Sequence, residues 1–141
     1  MIEFSFDPTL HARVAVYSGT VDDTELLGTY NALISSPGYD ASLNDLVDLR
    51  AVEKLDVTGD ALRELARAFA LVVDRRRYRT RRAIVAPMDH VYGMARMYEI
   101  LRSDAPEEIR VFRDMEAARA WLGAMASRGS PWVGTGADPA A

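Results

Sequence analysis

Few residues in this sequence are of the types that perform covalent catalysis or bind transition metals. The 141-residue chain has no cysteine and only two histidines, His11 and His90. The absence of thiols excludes disulfide bonds, thiol nucleophiles and cysteine-ligated zinc or iron–sulfur sites. His90 follows Asp89 directly, but consecutive helical residues point in different directions. Neither a G-x-S-x-G elbow nor a glycine-rich phosphate loop is present. We therefore expect no catalytic residue, no metal site and no cofactor.

Arginines are concentrated in one short segment of an otherwise acidic chain. The formal net charge of −4 disfavours a general nucleic-acid binder. Residues 75–82 contain six arginines and no acid, so the remainder of the chain carries −10. Such a run could make a peripheral contact with an anionic surface, and it is also typical of a helix C-terminus, where the dipole favours cations. This candidate basic patch consists of Arg75, Arg76, Arg77, Arg79, Arg81 and Arg82.

Hydrophobic periodicity predicts an alternation of strands and helices in the order β-β-α-β-α-β-α-β-α. Ile2, Phe4 and Phe6 alternate with polar residues, as a half-buried strand requires. Thr20, Thr58 and Asp89 are the expected N-caps of the first three helices. The predicted strands are at about 2–6, 11–17, 43–49, 83–87 and 109–112, and the predicted helices at about 20–34, 58–76, 89–101 and 114–125.

This order predicts an α/β fold with a mixed sheet of about five strands flanked by helices. The first two strands are joined too closely for anything but an antiparallel hairpin, whereas the later crossovers favour parallel pairing. The first and last strands are the expected edges, and either could pair in a homodimer. Residues 1–126 are expected to form one domain and residues 127–141 a flexible tail. No bilayer-spanning run or secretion signal is recognisable, so we expect a cytoplasmic location.

The loops after the third and fourth strands are the expected binding region. In open α/β sheets, ligands bind beyond the carboxyl ends of the strands, which here lead into residues 50–59 and 87–92. Asp56, Asp60 and Asp89 would repel a phosphate at these helix starts. The adjoining helices also carry methionine and aromatic side chains, which suit an adaptable apolar pocket and equally suit a core. The candidate pocket residues are Leu62, Phe69, Met88, Tyr92 and Met94.

One segment matches a known family signature. Residues 46–62 read Leu-Val-Asp-Leu-Arg-Ala-Val-Glu-Lys-Leu-Asp-Val-Thr-Gly-Asp-Ala-Leu, which resembles the D-L-x-x-V-x-x-x-D-S-S-G-x-x-x-L motif of STAS domains, the fold of SpoIIAA-type anti-sigma-factor antagonists. The SpoIIAA-like family also has segments similar to residues 82–86 and 110–122, so the resemblance covers about 2–123. It implies a sheet of four to five strands flanked by helices, in a non-enzymatic binding or regulatory module. The similarity of that family to CRAL-TRIO lipid-carrier domains implies a hydrophobic ligand.

The resemblance also implies a phosphorylation loop at Asp56, Val57, Thr58 and Gly59. The antagonists are phosphorylated on the first serine of D-S-S-G, where this chain has Val57, and Thr58 matches the second serine. Three hypotheses follow. The first is a module that binds a protein partner or a small apolar ligand, a lipid included, through residues 56–59 and 87–92. The second is an anti-sigma-factor antagonist switched at Thr58, and the third is an enzyme with an unrecognised site.

Overall fold

The strands and helices follow the predicted order in the computed structural model, which describes residues 1–72 and 79–127. The expected α/β class is therefore confirmed. Among the described residues, no helix combines the length and the apolar character needed to cross a bilayer. The elements are β1 (Ile2–Asp7), β2 (Ala12–Asp22), α1 (Asp23–Ser35), β3 (Asn44–Asp56), α2 (Gly59–Val72), β4 (Arg81–Val85), α3 (Asp89–Leu101), β5 (Glu108–Phe112) and α4 (Met115–Ser127).

The five strands form one mixed sheet in the order β1-β2-β3-β4-β5. β1 pairs antiparallel with β2, as the short connection requires, and the other three neighbouring pairs are parallel. The first and last strands are the edges, as expected. All four parallel strands therefore point their carboxyl ends toward one edge of the sheet, which we call the carboxyl edge.

Helices cover both faces of the sheet and form two cores of unequal size. The larger core lies under α1, α2 and α3, and the smaller one under α4. Successive residues of β4 alternate between the two cores: Ile84 belongs to the larger core, and Ala83 and Val85 to the smaller one. Both faces of this central strand are buried, which explains its continuous apolar sequence.

β2 is longer than predicted. It continues past Tyr17 to Asp22, with a register shift next to Gly19, which has a φ of +65° that glycine adopts without strain. The predicted N-cap at Thr20 is therefore wrong, because that residue still pairs with β3. Asp22 caps α1 instead, and its carboxylate accepts a hydrogen bond from the Glu25 N–H at 2.9 Å.

β3 is also longer than predicted, so residues 50–56 belong to a strand and not to a loop. Asp48 lies in the middle of this strand, and its carboxylate accepts hydrogen bonds from the Arg50 main chain and guanidinium at 2.9–3.0 Å. Burial opposes ionisation of Asp48, but the hydrogen bonds from Arg50 outweigh it and hold the pKa of that carboxyl below its usual range. The connection from β3 to α2 consists of Val57 and Thr58 alone.

A chain of buried charges crosses the amino ends of the parallel strands. Arg13 of β2 and Arg82 of β4 both contact the Asp45 carboxylate of β3, at 3.0 and 3.4 Å. Arg82 also contacts Glu107 at 3.1 Å, and Arg102 contacts the other oxygen of Glu107 at 3.5 Å. All five side chains are almost fully buried. We call this set the buried ion chain.

The arginine run is therefore not one surface. Arg82 is 4% exposed and belongs to the buried ion chain, so its predicted place in a basic patch is wrong. Arg81 points to the opposite face of β4, where its guanidinium lies 4.6 Å from the centre of the Trp121 ring and bonds Glu108. Strand alternation explains this separation, because neighbouring side chains leave opposite faces. Arg79 is exposed, and Arg75, Arg76 and Arg77 lie outside the described residues.

We predict that Arg82→Met lowers the free energy of unfolding by about 3 kcal/mol or more, because it removes one cation between two buried carboxylates. Arg79→Met is the matched control, since the same change at an exposed site alters stability by no more than about 0.5 kcal/mol. Urea unfolding of both variants measures the difference. Equal stability of the two variants would contradict a structural role for the Arg82 charge.

Candidate functional site

Two loops predicted to meet do so at the carboxyl edge. The His90 ring nitrogen Nε2 lies 3.3 Å from the Leu55 carbonyl oxygen, which connects the start of α3 to the end of β3. Asp22 and Asp56, the last residues of β2 and β3, are register partners. The ends of β2, β3 and β4 therefore form one continuous surface that includes residues 22–23, 56–60 and 87–92.

Arg113 joins the end of β5 to the same surface. Its guanidinium bonds the Pro87 carbonyl at 3.1 Å and the Asp89 carboxylate at 2.6 Å. The guanidinium carbon also lies 4.1 Å from the centre of the half-buried Tyr92 ring, a distance at which a cation–π interaction forms. Asp89 does not cap α3 as predicted, because the N-cap is Met88, which makes no side-chain cap hydrogen bond. The carboxylate of Asp89 is used for the ion pair with Arg113.

Thr58 links the starts of two helices. Its hydroxyl accepts a hydrogen bond from the Ala61 N–H at 3.1 Å, which confirms the predicted cap of α2. The same hydroxyl donates to the Asp23 carboxylate at 2.7 Å, and the Thr58 N–H donates to that carboxylate at 2.8 Å. Thr58 is exposed, whereas Val57 before it is buried in the larger core. An added phosphate on Thr58 would therefore face Asp23 at close range.

A carboxylate lies at the N-cap or in the first turn of all four helices at this edge. Asp22 caps α1 and Asp114 caps α4, where it accepts from the Ala117 N–H at 3.0 Å. Within the described residues, no three acidic or histidine side chains converge on a point where they could hold a metal ion. Two acids at this edge are ion-paired, Asp60 with Arg63 and Asp89 with Arg113, and the others leave the edge with an excess of negative charge. The carboxylates at the helix starts also interact favourably with the helix dipoles. The exposed acids are Asp22, Asp56, Asp60, Asp89, Asp114 and Glu116.

Met88 is an exposed apolar side chain within this acidic edge. It is 44% exposed, although it lies between the buried Ala86 and the start of α3. Met88 does not line the internal cavity described below. Tyr92 does not line it either, and its side chain packs against the larger core and under Arg113. A thioether in this position offers an adaptable apolar contact to a second molecule.

An internal cavity of about 60 Å³ lies between the sheet and the helices of the larger core. Three of the predicted pocket residues line it, namely Leu62, Phe69 and Met94. Ligand pockets usually enclose about 300 Å³ or more. In this conformation the cavity is therefore much smaller than a typical ligand pocket.

The cavity has polar groups on its wall that we did not predict. The hydroxyls of Tyr17 and Tyr30 form a hydrogen bond of 2.7 Å, and Arg82 and Tyr98 also line the wall. Burial raises the pKa of all three tyrosines, so they remain protonated. The Tyr98 hydroxyl has no hydrogen-bond partner among the described residues. Tyr30 and Tyr98 lie in the apolar stripes of predicted helices and Tyr17 lies in a predicted strand. These patterns do not indicate where a tyrosine hydroxyl lies within the core.

The tyrosine hydroxyls give a matched pair of variants. We predict that Tyr17→Phe lowers the free energy of unfolding by about 1 kcal/mol, because it breaks a buried hydrogen bond, whereas Tyr98→Phe removes an unpaired hydroxyl without loss. Urea unfolding measures both. An equal loss for Tyr98→Phe would mean that a buried water molecule satisfies this hydroxyl in solution.

The comparisons with known proteins found similarity among solved structures alone. No protein-family model matches the sequence, and no curated protein matches it. Among solved structures, the chain is similar to an uncharacterized protein of the DUF3478 family with a SpoIIAA-like fold from Shewanella loihica PV-4. The two chains are 18% identical over 86% of this chain and 92% of that chain, with a TM-score of 0.48.

Proposed function

We propose that this chain is a non-enzymatic binding module that recognises a protein partner through its carboxyl edge. The observation that carries the proposal is Met88, a 44% exposed apolar side chain within a row of carboxylates. An exposed apolar anchor with a charged rim is typical of protein–protein contact surfaces. The sign of the rim implies a partner with a basic surface around an apolar one.

The groups at the carboxyl edge favour binding over catalysis. His90 is directed at the Leu55 carbonyl, and Arg113 is occupied by the Pro87 carbonyl and the Asp89 carboxylate. Nucleophilic catalysis uses a nucleophile beside a base that a third group orients. These residues do not form that arrangement. The carboxylates also disfavour phosphate-bearing substrates at the helix N-termini.

A protein partner fits the geometry better than a lipid inside the domain. The internal cavity of about 60 Å³ is far smaller than the roughly 300 Å³ of an ordinary small-molecule pocket. Widening it would displace Leu62, Phe69 or Met94, which pack the larger core or border it. A single small domain needs such side chains for its own stability. The surface around Met88 needs no rearrangement to accept a partner.

The proposal is tested by site-specific photocrosslinking in a cell extract. A photoreactive residue in place of Met88 should give a discrete protein adduct, and the same residue in place of Ile100, which is 65% exposed at the other end of α3, should not. We predict that Asp56→Lys reduces the Met88 adduct by about threefold or more, because partner association depends on the charged rim. Asp104→Lys, an exposed acid at the opposite edge, is the matched control. The same adduct from both positions, or no response to Asp56→Lys, would contradict the proposal.

A second candidate function is a partner switch by phosphorylation of Thr58. Its hydroxyl is exposed, and a phosphate there would replace the hydrogen bond to Asp23 with repulsion between anions. We predict that Thr58→Glu lowers the free energy of unfolding by about 1–2 kcal/mol and abolishes the Met88 adduct, whereas Thr58→Ser keeps the cap and the adduct. Urea unfolding and crosslinking measure the two effects. An adduct that survives in Thr58→Glu would rule out this switch and leave the binding proposal standing.

A further inference from the structure

We propose that the free edge of β1 pairs with β1 of a second copy, so that two chains form one continuous ten-stranded sheet. Within the described residues, β1 is hydrogen-bonded to β2 alone and its other edge is open. This strand lies at the side of the sheet and not at the carboxyl edge. The inference therefore stands or falls independently of the proposed partner site.

Hydrogen bonding to β2 determines which main-chain groups of β1 are free. Met1 and Ser18 exchange both N–H···O bonds, at 2.7 and 2.8 Å. In an antiparallel pair, hydrogen-bonded and non-hydrogen-bonded residues alternate, and the register of β1 against β2 is unbroken. Ile2, Phe4 and Phe6 are therefore the residues whose N–H and C=O groups point away from β2.

These free groups restrict how a second β1 can pair. In antiparallel pairing between two copies, the residues whose main-chain groups are free, Ile2, Phe4 and Phe6, must lie opposite the same set of residues in the other copy. Three registers satisfy this condition with substantial overlap, and they are centred on Glu3, Phe4 or Ser5. In the register centred on Glu3, the Glu3 carboxylates of the two copies face each other. In the register centred on Ser5, Glu3 of each copy faces Asp7 of the other.

Only the register centred on Phe4 avoids directly opposed carboxylates. It pairs Ile2 with Phe6 of the second copy, Phe4 with itself, and Glu3 with Ser5. About six main-chain hydrogen bonds form across a two-fold axis, and the arrangement closes after two copies. The charges of β1 thus favour one symmetric register for pairing with a second copy of this chain.

The side chains of β1 support the same register. Phe4 is 38% and Phe6 55% exposed, although both alternate with polar residues on a well-formed strand. Phe4 also contacts the ring of Tyr30 edge to face at 5.8 Å, which continues the larger core to the rim of the sheet. Pairing at Phe4 would bring two apolar rows side by side on one face, where cross-strand aromatic contacts are stabilising.

The test is sedimentation of the full chain from about 1 μM to about 1 mM. We expect the mass to rise from 15.6 kDa toward twice that value. Phe6→Lys should weaken association about tenfold or more, because two exposed charges would enter the paired edge. Ile100→Lys is the matched control, since it changes an equally exposed apolar residue on α3. A monomer at every concentration, or a Phe6→Lys dimer as tight as the original, would overturn the proposal.

A charge swap tests the register itself. Glu3 and Ser5 are both exposed, so substitutions there do not disturb the core. Ser5→Glu should weaken the dimer about threefold or more, because the new carboxylate faces Glu3 of the second copy. Adding Glu3→Lys to that variant should restore or exceed the original affinity. If the double variant associates no better than Ser5→Glu, the register centred on Phe4 is wrong.

Discussion

The buried ion chain is the constraint on which the arrangement of the parallel strands depends. A charge removed from water must be compensated nearby, or the fold loses several kcal/mol. Asp45 of β3 is compensated by arginines of its two neighbours, Arg13 of β2 and Arg82 of β4. A β3 placed anywhere else in the sheet would break at least one of these two ion pairs of Asp45. The ion pairs of Asp45 therefore favour β2 and β4 as the neighbours of β3, in addition to the apolar pattern, which determines the faces that β3 buries.

The same arginine connects the ion chain to the interior of the larger core. The Arg82 guanidinium lies 4.8 Å from the centre of the Phe69 ring and on the wall of the cavity that Tyr98 also lines. The polar groups on the cavity wall are thus connected through Arg82 to the buried ion chain at the amino ends of the strands. Burial raises the pKa of the three tyrosines, and the nearby positive charge of Arg82 acts in the opposite direction on all three.

Sequence periodicity was sufficient for the fold class and for the order of the elements, because alternation of apolar residues is a local property. It also located the Thr58 cap, which depends on a contact within four residues. It was insufficient for the ends of β2 and β3, because those strands are prolonged by pairing with each other. The direction of Arg82 was missed for a similar reason: the compensating acids, Asp45 and Glu107, are distant in sequence. Of the predicted apolar pocket, the three residues that face the sheet line the cavity, whereas Met88 and Tyr92, at the start of α3, do not.

The bridge between Thr58 and Asp23 has a consequence for motion at the carboxyl edge. One carboxylate holds the first turn of α2 through two hydrogen bonds, and it belongs to the first residue of α1. Fraying of either helix start would break these hydrogen bonds, so we expect the openings of the two first turns to be coupled. Local stability at this edge is therefore a shared property of two helices that are separate in the chain, and anything that binds one start stiffens both.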